Sequence, residues 1–80
     1  MKTPDELKRL LYETVSEQFG VPVERLSEAT TAHDVDGWDS MAHGVLIMTL
    51  EGKLGFELPL ERVMEAQSLG QLLDIVVSCG

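Results

Sequence analysis

Apolar residues in the first twenty positions fall at helical spacing. Leu7, Leu10, Leu11 and Val15 recur three or four apart, with Phe19 one turn beyond, and this gathers them into one stripe. Both ends carry local signals. Thr3 can cap, Pro4 suits the first helical position and Glu6 is placed to complete a capping box, while Gly20 supplies a stop. A second helix is predicted from Ser40, behind the N-cap Asp39, to near Gly55. Pro59 opens a short third helix over Leu60 to Ala66. Ser68-Leu69-Gly70-Gln71 reads as another capping box, and Leu69, Leu72, Leu73 and Val76 form the stripe of a fourth helix. No segment alternates with period two. The expected fold is all-α: a small four-helix bundle with a long first loop and a short third helix.

That first loop, residues 20–39, holds turn formers and scattered apolar anchors, Val21, Val23, Leu26 and Val35, with a single helical turn expected over Pro22 to Leu26. A loop of this length inside a compact domain usually has a function.

Composition narrows the class. Eighty residues make residues 1–80 one domain with a modest core. No apolar run spans a bilayer, and residues 1–15 lack the order of a signal peptide, so a cytoplasmic protein is expected. Fourteen acids against six bases give a net charge of −8. Such a surface repels nucleic acid and anionic membranes and favours basic partner patches. Half of the excess lies in residues 20–39, where five acids face Arg25 alone. Cys79 is the only cysteine, so no internal disulfide is possible, and its position reads as a frayed end without a role.

The acids concentrate in Asp34-Val35-Asp36-Gly37-Trp38-Asp39-Ser40-Met41-Ala42-His43-Gly44. A calcium loop needs oxygens at positions 1, 3, 5 and 12 around a glycine at 6. With Gly37 at that place, Asp34 and Asp36 fit, but the first ligand becomes Ala32 and the last His43. No metal site is therefore expected. Ser40 and His43, three apart on a helix, could approach one another. Hydrolysis also needs an orienting acid, an oxyanion hole and a cleft, for which a bundle this small has little material. No catalytic residue is assigned.

Projected at 100° per residue, the second helix has two apolar arcs. Leu46, Ile47, Leu50 and Leu54 make a core stripe; Met41, Val45 and Met48 lie on the other arc with Gly44, Gly52 and Gly55. Gly44 and Gly52 each cost the helix about 1 kcal/mol relative to alanine. They permit close backbone approach, and methionines adapt to varied contacts. The second arc is therefore read as a partner-docking face comprising Met41, Gly44, Val45 and Met48. Ser40 stands at its edge. Because Asp39 is the cap, the Ser40 hydroxyl is free for modification, and a phosphate ester there would meet the positive helix end.

Gly37-Trp38-Asp39-Ser40-Met41, opening a helix that closes on Leu50-Glu51-Gly52-Lys53-Leu54-Gly55-Phe56, resembles the acyl carrier proteins. The later Ser68-Leu69-Gly70-Gln71-Leu72-Leu73 also fits, and the likeness covers essentially the whole chain. It implies a non-catalytic, free-standing carrier that holds acyl groups as thioesters on a 4′-phosphopantetheine arm at Ser40, with Asp39 in recognition. The arm would come from coenzyme A through a phosphopantetheinyl transferase that uses magnesium. Further implied partners are a loading enzyme and a downstream acyltransferase or synthase. Such carriers can shelter cargo between the later helices, and here Leu46, Leu50, Val63, Met64 and Ile75 are candidates to line that space. His43, on the arc of Leu50, would stand at its mouth; the plainer reading is a satisfied, partly exposed histidine. A monomer is expected.

One departure matters. Residues 40–55 hold only Glu51 against Lys53, whereas the fatty-acid-synthesis pattern is strongly acidic there. That points to a specialised polyketide or nonribosomal-peptide type of pathway. The alternatives are an aminoacyl or peptidyl carrier, or an unmodified helical adaptor that binds partners through helix two.

Overall fold

The structure is a computed structural model that describes residues 3–79. Four helices follow in order: α1 (Pro4–Phe19), α2 (Ser40–Leu54), α3 (Leu60–Glu65) and α4 (Leu69–Cys79). No strand occurs among the described residues, and none of the helices is long and apolar enough to cross a membrane. α1 packs on both α2 and α4, and α3 bridges α2 and α4.

Helix ends follow the local chemistry with three departures. The Glu6 N–H donates to Thr3 Oγ1 at 3.2 Å, but the Glu6 carboxylate takes the Thr3 hydroxyl rather than its backbone N–H, so the box is half formed. At α4 the Gln71 N–H donates to Ser68 Oγ at 3.2 Å, while Gln71 Oε1 accepts from the Gln67 N–H at 2.8 Å, one residue earlier than a capping box requires. Gly20 and Gly55 end α1 and α2 at φ of 69° and 83°, a region that disfavours a Cβ. α3 stops at Glu65, and Ala66 is its C-cap rather than its last residue.

The core is the sum of the apolar stripes. Leu11 and Val15 of α1, Leu46 and Leu50 of α2, Val63 of α3 and Leu69 and Val76 of α4 are fully buried. Polar links set the helices against one another. Gln18 Nε2 donates to the Ala42 carbonyl at 2.8 Å, Lys53 pairs with Glu17 at 3.3 Å, and Glu51 accepts from the Leu58 N–H at 2.8 Å. Tyr12 is the exception: its hydroxyl is buried without a partner among the described residues, and burial, aided by Glu28, pushes the phenol above its ordinary range.

The loop is ordered by short tight turns at Val23–Arg25 and Ala32–Asp34. Leu26 and Val35 are buried anchors and Val21 is half-buried, but Val23 is 39% exposed and anchors nothing. The first N–H groups of any helix lack partners inside it. Here the loop supplies them to α4, since Leu69 N–H donates to the Thr30 carbonyl and Gly70 N–H to the Glu28 carbonyl, each at 2.9 Å. The backbone approach is so close that a Cβ at Gly70 would stand 3.0 Å from Glu28 Cβ and O.

Candidate functional site

Asp39 sits in an extended conformation ahead of α2, with Oδ1 accepting from the Ala42 N–H at 2.8 Å and its carbonyl accepting from the His43 N–H at 2.9 Å. The cap is thus fully used by Asp39. Ser40, the first helical residue, is exposed, and its hydroxyl has no hydrogen-bond partner among the described residues. The Ser40 and Met41 N–H groups precede the first intrahelical bond, so they remain available to an anion at the positive end of α2.

Behind the serine lies an aromatic cluster. Phe19 stacks on Trp38 with centroids 4.8 Å apart and an interplanar angle of 13°. Trp38 Nε1, which can only donate, gives its proton to His43 Nδ1 at 3.0 Å. The His43 proton must then reside on Nε2, which donates to the Val63 carbonyl at 2.7 Å. His43 is 9% exposed, so it is a buried relay from the loop to α3, not the partly exposed residue the sequence suggested. Asp34 has a local task as well: its Oδ2 accepts from the Thr31 N–H at 3.0 Å and from the Thr31 hydroxyl at 3.2 Å.

Two cavities adjoin this cluster. The one at the serine, about 250 Å³, is walled by Asp39, Ser40 and Met64 together with Ala32, Trp38, His43 and Ala66. A second, about 440 Å³, shares the last four of these walls. It extends toward the loop residues Thr30, Thr31 and His33 and the α3–α4 connection at Gln67 and Ser68, with Leu72 at its apolar side. Leu46, Leu50, Val63 and Ile75 are buried core residues and are walls of neither cavity. Of the residues assigned to an acyl space from sequence, only His43 and the 45% exposed Met64 border the serine cavity. The loop and connection residues were missed because their roles depend on how two distant loops meet.

The second arc of α2 faces outward. Met41 is 81% exposed, Met48 71% exposed, and Val45 is half exposed. A Cβ at Gly44 or Gly52 would meet nothing within 4 Å, so neither glycine answers to packing within this chain. Leu60 and Met64 of α3 add two more exposed apolar side chains.

The site thus combines a capped helix start, an exposed serine whose hydroxyl has no hydrogen-bond partner among the described residues, and two adjoining cavities. The family model described as the phosphopantetheine attachment site matches residues 9–76, and the chain belongs to that family, the carrier proteins of the acyl carrier type. Members carry a 4′-phosphopantetheine prosthetic group. They are modified by phosphopantetheinyl transferases, deliver to partner enzymes, and are generally non-catalytic.

Proposed function

We propose that Ser40 is the attachment point of the 4′-phosphopantetheine arm and that residues 1–80 act as one carrier domain for acyl intermediates. The observation that carries this is the exposed, unpartnered hydroxyl at the first position of α2, with Asp39 supplying the cap. When bound, the arm supplies a thiol that holds acyl groups as thioesters. The chain's own residues do the rest. Asp39 fixes the helix start and orients Ser40 outward, the free N–H groups of Ser40 and Met41 favour the phosphate, and Trp38 with His43 hold the wall behind it.

Docking to partner enzymes rests on Met41, Gly44, Val45 and Met48. Their exposure supports this, and so does the near absence of charge on α2, where Glu51 already accepts from the Leu58 N–H and Lys53 pairs with Glu17. An apolar docking face fits a specialised polyketide or nonribosomal-peptide type of pathway better than one run on ion pairs. An aminoacyl or peptidyl cargo is the second reading, favoured by the polar side of the larger cavity.

The test is incubation with coenzyme A, magnesium and a broad-range phosphopantetheinyl transferase, followed by intact mass measurement. A gain of one phosphopantetheinyl group that disappears in Ser40→Ala is expected. A gain that survives the substitution overturns the attachment at Ser40, and no gain at all leaves the chain an unmodified helical adaptor.

A further inference from the structure

We propose that the larger cavity, beneath the Thr30–His33 segment, is a cargo site for a short acyl group ending in a hydrogen-bond donor, a hydroxyl or an amine. The inference rests on attachment at Ser40. The two cavities share Ala32, Trp38, His43 and Ala66 as walls, so the larger one adjoins the cavity at Ser40 and lies within reach of a chain tethered there. The helical core is a poor destination by comparison. Leu46, Leu50, Val63 and Val76 are fully buried members of one core cluster, and inserting methylenes into a packed core forces side chains off their rotamers. The His43 Nε2 to Val63 carbonyl bond also pins α2 to α3 at the place where an alkyl chain would have to enter.

The chemistry of the walls selects the end group. Gln67 and His33 side chains have no hydrogen-bond partner among the described residues, and Ser68 Oγ, already accepting from Gln71, keeps a second lone pair. No lysine or arginine lines either cavity, whereas Asp39 lines the smaller one and Asp34 is bonded to Thr31 at the rim of the larger. A carboxylate-ended cargo would pass the Asp39 carboxylate and meet no lysine or arginine to offset it, which selects against it. A hydroxyl or ammonium finds acceptors.

The experiment loads the full chain from four coenzyme A derivatives, 3-hydroxybutyryl, β-alanyl, succinyl and octanoyl, checks each by intact mass, and compares backbone and indole NMR shifts with the arm-only protein. Hydroxybutyryl, β-alanyl or both are expected to shift the amides of Thr30, Thr31, Gln67 and Ser68 and the Trp38 indole N–H; which of them does so tells hydroxyl from amine. Succinyl and octanoyl are expected to leave these signals in place. Gln67→Leu, at an exposed position, is expected to reduce the shifts while loading by mass persists. Donor-ended arms that leave the cavity signals unmoved, or an octanoyl arm that shifts the Leu46, Leu50 and Val76 methyls, overturn the cargo site. Absence of any mass gain overturns the attachment at Ser40, and the cargo site with it.

Discussion

Trp38 Nε1 donates to His43 Nδ1 at 3.0 Å, and that single bond fixes which nitrogen of a buried imidazole carries the proton. The ring is held between an indole N–H on the loop and a carbonyl on α3, so the cavity walls behind Ser40 depend on it. His43→Ala leaves the part-buried Trp38 N–H and the buried Val63 carbonyl unpaired and opens a void. Two orphaned groups at about 1–3 kcal/mol each put the loss at roughly 2–6 kcal/mol. Trp38→Phe removes the donor together with the pyrrole half of the ring that stacks on Phe19, and is expected to cost about 1–3 kcal/mol. Urea denaturation checks both magnitudes. Imidazole nitrogen shifts by NMR check the tautomer, and a proton found on Nδ1 would contradict the arrangement.

The glycines divide into two kinds, and alanine tells them apart. At Gly70 a Cβ would stand 3.0 Å from Glu28 Cβ and O, across a backbone hydrogen bond of 2.9 Å. Either the loop moves or the bond breaks, so Gly70→Ala is expected to destabilise by about 1–3 kcal/mol despite alanine's better helix propensity. Gly52 is helical, exposed and open on all sides. Gly52→Ala is expected to stabilise by about 1 kcal/mol. Thermal unfolding of the two variants should move the midpoint in opposite directions; a shared direction would refute the close approach at Gly70.

The pattern of what could be seen in advance has a physical basis. Helix positions were legible because their determinants are local: Leu7, Leu11 and Val15 repeat within one helix, Asp39 caps the residue three ahead, and Gly20 and Gly55 end what precedes them. The exposed position of Ser40 at the start of α2 was legible for the same reason, since Asp39 next door takes the cap. The Trp38–His43–Val63 relay was not, because it joins residues up to 20 apart through a carbonyl that any residue could supply. Nor were the Glu28 and Thr30 carbonyls that satisfy α4, for which Gly70 was the one available hint. A helical projection puts Leu46 and Leu50 inside but says nothing of whether the inside is hollow. Packing decides that, and here Leu46 and Leu50 are fully buried while the cavities nearest Ser40 are walled by loop residues.

Tyr12 joins an unsatisfied hydroxyl to a titration. Its buried oxygen has no partner, so Tyr12→Phe removes a desolvated polar atom while keeping the ring, and is expected to be neutral or stabilising by up to about 2 kcal/mol. The phenol is raised above its ordinary 10.0. In the unfolded chain it therefore ionises first, the unfolded state binds fewer protons, and stability contributed by the neutral phenol is present below about pH 10 and falls as pH rises beyond it. The phenylalanine variant lacks this fall. Urea midpoints at about pH 9 and about pH 11, compared between the two proteins, isolate the effect from other groups. An equal drop in both would show that Tyr12 contributes nothing to it.

Asp39 combines two roles that one pair of substitutions separates. As N-cap its Oδ1 holds the Ala42 N–H at 2.8 Å, and as a carboxylate it places charge beside the Ser40 hydroxyl. Asparagine keeps an oxygen for the N–H and loses the charge; alanine loses both. Asp39→Asn is expected to remain within about 0.5 kcal/mol of the parent, because asparagine and aspartate are comparable caps. Asp39→Ala is expected to lose about 0.5–2 kcal/mol. Loading separates the roles further. If the carboxylate is read by the transferase, both variants should gain the arm more slowly than the parent when followed by intact mass. If Asp39 acts only by fixing the helix start, Asp39→Asn should load at the parental rate and Asp39→Ala should be slow. Parental loading of both variants would remove Asp39 from the site altogether and leave Ser40 presented by the helix alone.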